Sequence, residues 1–282
     1  MVRPAILFPL LLFCAGFAEP APMARGWHLS DFASAIGDAE MSGGVDRGEG
    51  VVFDWTQWKS LPAAGPGWTL IHTGLQHQPP SASRTFDFRR EQEELSLEVF
   101  VSGDGLASAR QHLREIGTNT AMVSHPYERG PKDLGELSLV PRRGPAHSIA
   151  WSYRNVCFHL ETYHSPLDLV ALAHALQNQA VLHLVRDINH NAPAPVSLVA
   201  RPQTAVLGEV ITVALDGAGT LDATKLDIDF MVMGDGLRAE TQDGLSLTFK
   251  AIKPGTTRLW LQLTDKQTLL SRRASTAVTI VP

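Results

Sequence analysis

The last third of the chain alternates apolar and polar residues with little interruption. Ile211, Val213 and Leu215 alternate with Thr212 and Ala214, and Leu226, Ile228, Phe230 and Val232 alternate with Asp227, Asp229, Met231 and Met233. Leu245, Leu247 and Phe249 repeat the pattern, followed by Leu259, Leu261 and Leu263 against Arg258, Trp260 and Gln262, and finally Thr276, Val278 and Ile280. A period of two places successive side chains on opposite faces of a strand, so each segment buries one face. Glycine-containing turns separate the segments. That arrangement predicts an all-β sandwich over residues 196–282.

Upstream, the period changes. Leu95, Leu97, Val99 and Val101 alternate with Ser96, Glu98, Phe100 and Ser102, which predicts a strand. Leu106, Ala109, Leu113 and Ile116 share one face of a helix over 104–116, with Gly117 as its C-cap. Residues 137–140 and 148–163 read as two further strands around the turn cluster Arg142-Arg143-Gly144-Pro145, the second of them central because it is apolar on both faces. Ser165-Pro166-Leu167-Asp168 opens a last helix with a serine N-cap, a first-position proline and a carboxylate, and Leu169, Leu172, Ala173, Leu176 and Ala180 form its buried face. The order predicts an α+β domain over 84–188, an antiparallel sheet with helices on one face. Residues 19–83 read as a loosely structured N-terminal region packed on that domain, with 34–50 and 76–83 as loops. Two prolines in Asn189-His190-Asn191-Ala192-Pro193-Ala194-Pro195 mark a linker over 189–195.

Within the sandwich, Leu207-Gly208-Glu209, Met233-Gly234-Asp235-Gly236 and Lys253-Pro254-Gly255-Thr256-Thr257 leading to Thr264-Asp265 resemble a polycystic-kidney-disease-type (PKD) domain, an immunoglobulin-like sandwich. That family usually has phenylalanine where Met233 stands and tyrosine where Thr257 stands. The resemblance covers about 195–282 and implies an extracellular module that spaces or binds, often beside polysaccharide-active or adhesive domains.

The N-terminus changes where the protein is expected to work. Arg3 precedes an apolar run from Ala5 to Ala15, and Gly16 and Ala18 flank Phe17 before Glu19. This predicts a secretory signal over 1–18, cleaved after Ala18, and a secreted or periplasmic protein. Cys14 offers a lipid-anchor reading, but the preceding Phe13 is not the small residue such processing needs. With Cys14 removed, only Cys157 of the 2 cysteines remains and no internal disulfide can form. The 282 residues are 44% hydrophobic and 19% charged with a formal net charge of −5, a globular composition with no basic footprint for nucleic acid. No later run is long and apolar enough for a transmembrane helix.

Candidate chemistry is sparse. His159, Glu161 and His164 form a His-x-Glu-x-x-His string, a weak metal candidate because a zinc helix motif spaces its histidines four apart; no cofactor is expected. Cys157 lies two residues from His159, but among Val156, Phe158 and Leu160 it reads as a buried structural thiol. No Gly-x-Ser-x-Gly elbow occurs, and Gly103-Asp104-Gly105 lacks the further features of a phosphate loop. Glu91, Glu93 and Glu94 read as a solvated strand edge, and Arg154 and Asn155 as partners of carboxylates or backbone across the sheet.

Aromatic residues offer a binding surface instead. Trp55 and Trp58 could stack on sugar rings or anchor their segment to the sheet. Trp260 points outward with Arg258 and Gln262, either as a binding platform or as the contact with the first domain. The expected function is an exported, non-catalytic binding protein, with a polysaccharide or a cell-surface protein as partner. The alternative is an exported hydrolase whose catalytic groups lie in the first domain.

Overall fold

A computed structural model describes residues 48–58, 61, 64–78, 81–102, 106–118, 127–141, 147–163, 165–217, 219, 221–243 and 246–282. The signal segment, Cys14, His164, Gly103-Asp104-Gly105 and the 142–145 turn lie outside these residues, as does the side chain of Leu106.

The described first half is built on a seven-stranded antiparallel sheet. In chain order its strands are β2 (Thr69–Gln78), β3 (Ser81–Arg90), β4 (Glu93–Ser102), β5 (Tyr127–Arg129), β6 (Leu137–Pro141), β7 (Ser148–Tyr153) and β8 (Val156–Tyr163). They are ordered β2-β3-β4-β8-β7-β6-β5. Helix α1 (Leu106–Thr118) follows β4, and α2 (Leu169–Val181) follows β8. A two-residue strand β1 (Gly50–Val51) pairs with β9 (Leu184–Val185).

The expected α+β domain with helices on one face is corrected here. The described residues are mostly strand, and the two helices lie on opposite faces. Ala109 and Leu113 of α1 pack with Phe100, Ala150 and Cys157. Leu169, Leu172, Ala173, Leu176 and Ala180 of α2 pack with the other face, against Leu95, Leu97, Val99, Trp151, Phe158 and Leu160. Alternation along β4, β7 and β8 explains the division: each strand sends apolar side chains both ways, so each face needs its own cover. The α2 face is the larger and holds a cluster of Phe53, Trp55, Trp58, Phe86, Trp151 and Phe158. Trp151 stacks on Phe158 with ring centres 4.7 Å apart.

Four local expectations also change. Residues 148–163 are a hairpin, β7 and β8, joined by Arg154-Asn155. Arg154 takes φ +54°, the left-handed backbone that a two-residue hairpin turn requires. Residues 76–83, read as a loop, include the facing ends of β2 and β3, which pair from Gln78↔Ser81 inward. Helix α2 starts after Asp168, whose carboxylate accepts from the Ala171 N–H; Ser165 is not the cap. Gly117 lies inside α1, not beyond it.

Residues 191–196 carry neither helix nor strand and lead into a β-sandwich. One sheet has the order β10-β12-β15-β14 and the other β11-β17-β16-β13. The strands are β10 (Ser197–Arg201), β11 (Thr204–Val206), β12 (Val210–Asp216), β13 (Leu226–Met233), β14 (Leu237–Asp243), β15 (Ser246–Ala251), β16 (Gly255–Asp265) and β17 (Ser271–Val281). Between the sheets lie Leu198, Ile211, Val213, Leu247, Phe249, Leu259, Leu261, Leu263, Val278 and Ile280, the apolar set of the period-two pattern. Gly236 is required where β13 turns into β14, because a Cβ there would come within 2.4 Å of Thr257 Oγ1.

The two halves share a core. The turn between β16 and β17 inserts Leu269 and Leu270, both fully buried, into the apolar cluster of the first half. Around this plug the Trp55 N–H donates to the Gln267 carbonyl at 2.9 Å and Trp55 Nε1 to the Thr268 carbonyl at 3.0 Å. Arg84 Nη2 donates to the Lys266 carbonyl at 2.9 Å. Asp265 shapes the turn by accepting from the backbone N–H groups of Gln267 and Thr268.

Candidate functional site

Most sequence-derived candidates are structural. Trp55 is fully buried and Trp58 nearly so, and the two rings meet edge to face at 5.2 Å. They anchor the segment after β1 to the sheet and to the β16–β17 turn, so neither can stack on a ligand. Asn155 is also fully buried. Its Oδ1 accepts from the Val51 N–H at 2.6 Å and its Nδ2 donates to the Val51 carbonyl at 3.2 Å, which clamps β1 onto the β7–β8 turn. Arg154 lies 3.7 Å from Glu136 and 3.6 Å from Glu49. Glu93 and Glu94 pair with Arg90 and Arg89 across the β3–β4 hairpin, and Glu91 occupies its turn at φ +56°.

On the α1 face of the large sheet a hydrogen-bonded chain links residues of β5, β7 and β8. The Tyr127 and Ser148 hydroxyls lie 3.0 Å apart, Ser148 Oγ is 3.0 Å from His159 Nε2, and the same nitrogen is 3.3 Å from Glu161 Oε1. Tyr163 then donates to Glu161 Oε2 at 3.2 Å. The hydrogen bond from His159 holds the Glu161 carboxyl below its ordinary range, and burial pushes the Tyr127 phenol up. A serine, a histidine and a glutamate in contact suggest a hydrolase, but the geometry is wrong for one. A catalytic imidazole needs its two nitrogens divided between nucleophile and carboxylate, whereas here both partners share Nε2. Ser148 is also buried, so substrate cannot reach its hydroxyl.

His159 and Glu161 do share a face, as the string suggested, and no group of three metal-ligating side chains assembles among the described residues. Cys157 points to the same face and is buried; burial first, and the nearby Glu98 second, raise its thiol well above the ordinary value. That is the reverse of what a nucleophilic cysteine needs. Sequence reasoning missed His112 on α1, which stacks flat on Phe100 at 3.9 Å and is 8% exposed. Neither of its ring nitrogens has a hydrogen-bond partner among the described residues, though Nδ1 is 3.8 Å from Glu115 Oε2; burial lowers its pKa against the opposing pull of Glu98 and Glu115. Its only sequence signal was a polar residue beside Leu113 on the covered side of α1.

Trp260 is different. It lies on the outer face of the β13-β16-β17 sheet, half-buried, between Met231 and Ser275 on the flanking strands. The Arg258 guanidinium carbon is 5.8 Å from the indole ring centre and that of Arg273 is 5.6 Å from it. Neither arginine forms an ion pair among the described residues, and Arg258 is exposed. Gln262, grouped with Trp260 on sequence grounds, is fully buried instead. Its Nε2 donates to the Ser81 carbonyl at 2.9 Å, so the β13-β16-β17 face touches the first half at Gln262 and opens to solvent at Arg258. Arg273 became a neighbour of Trp260 only through the Gln262↔Arg273 pairing of β16 and β17. No protein-family model matches this chain, and no curated protein matches it.

Proposed function

We propose that this is an exported, non-catalytic binding protein in which a rigidly mounted sandwich presents Trp260 and its arginines to a polymer or surface ligand outside the cell. The observation that carries the reading is the partly exposed indole of Trp260 on the outer β13-β16-β17 face, flanked by two guanidiniums, its Nε1 buried and without a hydrogen-bond partner among the described residues. An indole and guanidinium planes are flat, stiff and amphipathic, and they lose little conformational freedom on binding. The hydrolase reading has the weaker support, because its nearest candidates, Ser148 and Cys157, are both buried.

The PKD-type reading of the last unit is supported by its strand order. One sheet follows the A-B-E-D arrangement of a constant-type immunoglobulin sandwich and the other holds the C, F and G positions. The Gly234-Asp235-Gly236 turn joins β13 to β14, with Lys253 paired to Asp235, and Lys253-Pro254-Gly255 leads into β16.

The test is co-sedimentation of the full chain with insoluble polysaccharides and cell-envelope preparations, beside Trp260→Ala. Retention that is lost with the indole supports the reading. Retention indifferent to Trp260, or none on any material, overturns it.

A further inference from the structure

The environment of Trp260 narrows the kind of ligand. On the assumption that Trp260 marks the binding face, we infer that the site takes an acidic polysaccharide, with Arg258 and Arg273 engaging carboxylates or sulfates on two of its sugars while the indole holds the two guanidiniums in place.

Three observations carry this. First, the arginines lie on either side of the indole along the strand direction. Arg258 is two residues before Trp260 on β16, and Arg273 stands opposite Gln262, two residues after it. The two positions are therefore separated by four strand residues, on the order of 14 Å between backbones at ~3.4 Å per residue. The guanidiniums themselves converge on the indole, at 5.8 and 5.6 Å from its centre, and a polymer with charge repeated along its length can engage both. Second, both guanidiniums already lie over the indole, at 5.8 and 5.6 Å from its centre. That contact holds each fork in place before a ligand arrives, so less rotamer freedom is lost on pairing. Third, neither fork is neutralised by an ion pair among the described residues, although the whole chain carries a formal net charge of −5. A local cationic pair on a protein of acidic balance is a feature of this face, not of the overall field.

Nearby carboxylates set the orientation. Asp229 lies on β13 opposite Gln262, on the same face and toward the domain junction. An acidic chain crossing this corner is repelled there, so it follows the β16–β17 side, over Trp260 and past the exposed Ser275.

The experiment is affinity electrophoresis and titration calorimetry of the full chain with soluble polygalacturonate, neutral dextran and polyglutamate, in low and in moderate salt. The expected result is binding to polygalacturonate that weakens with salt and falls at least tenfold in Arg258→Glu/Arg273→Glu. Arg258→Lys/Arg273→Lys should be intermediate, because the point charge remains but the bidentate fork is lost. Lys250→Glu, on the opposite sheet, should bind as the parent does, and circular dichroism checks that each variant is folded. Dextran bound as well as polygalacturonate, with the loss confined to Trp260→Ala, removes the acidic class and leaves a Trp260 binding face standing. Polyglutamate bound as well as polygalacturonate removes the saccharide. Unchanged binding in the folded double charge reversal overturns the assignment to these arginines, and no binding to any of the three polymers overturns the acidic-polysaccharide assignment, while the Trp260 reading falls only if co-sedimentation also fails.

Discussion

At the scale of single residues, the informative side chains are polar ones in apolar places. His112 is covered by Phe100 and hydrogen-bonded to nothing among the described residues, so its burial favours the neutral imidazole. Its pKa is lower in the folded chain than the ordinary 6.5, so between those two values the unfolded chain holds a proton that the folded chain does not. Stability from this group is therefore complete above about pH 6.5 and falls as the pH drops below it. His112→Phe keeps the flat ring on Phe100 and removes two buried nitrogens that make no hydrogen bond, at the loss of a 3.8 Å contact with Glu115. We expect it to raise stability at pH 7.5 by about 1 kcal/mol and to flatten the dependence between pH 7.5 and 5.5, read as urea midpoints. A variant with the parent's pH slope would show that His112 does not set it. Asn155→Ala, by contrast, leaves the Val51 N–H and carbonyl without their partners and should cost about 1–3 kcal/mol by the same measurement. Both positions read as polar along the chain, but the consequence of neither is local. Asn155 was legible as a partner of backbone, whereas the clamp joins residues 104 apart and depends on where β1 comes to lie.

At the scale of elements, periodicity located strands well and turns poorly. The alternation of Leu259, Leu261 and Leu263 found β16, and the Leu169, Leu172, Ala173, Leu176 and Ala180 face found α2. It merged β7 with β8 because Arg154-Asn155 lacks the glycine that usually marks a two-residue hairpin. The β16–β17 turn raises the same issue in a sharper form. Leu269 adopts φ +61°, costly for any residue with a Cβ, yet it is fully buried. Relief of the strain in Leu269→Gly is worth about 1–2 kcal/mol, while losing a buried leucine costs about 2–5 kcal/mol. Burial wins on these magnitudes, so Leu269→Gly should destabilise the protein in a thermal melt even though glycine suits the backbone better. A stabilised glycine variant would mean that the plug contributes little.

At the scale of the whole molecule, that plug decides how the halves behave. Leu269 and Leu270 belong to the first half's core by packing and to the sandwich by chain, and the Trp55, Arg84 and Gln262 hydrogen bonds cross the same junction. The parent protein should unfold in one calorimetric transition. Leu269→Ala/Leu270→Ala should separate it into two, with the first half melting earlier. Two well-resolved transitions in the parent would show the halves to be independent. The arrangement also matters for binding, because a sandwich fixed in this way holds Trp260 at one orientation to the rest of the chain.

What the sequence determined by itself was local: which residues face inward on each strand, the buried stripe of α2, the outward placement of Trp260, and the absence of a hydrolase elbow. Those properties follow from the periods of strand and helix, which a chain carries along its length. Tertiary structure alone decided which face each helix covers, that Trp55 and Trp58 are buried, that Gln262 belongs to the junction, and that Arg273 joins Arg258 at Trp260. Each of these depends on segments distant in sequence meeting in space, and periodicity records the direction of a side chain without naming what it meets.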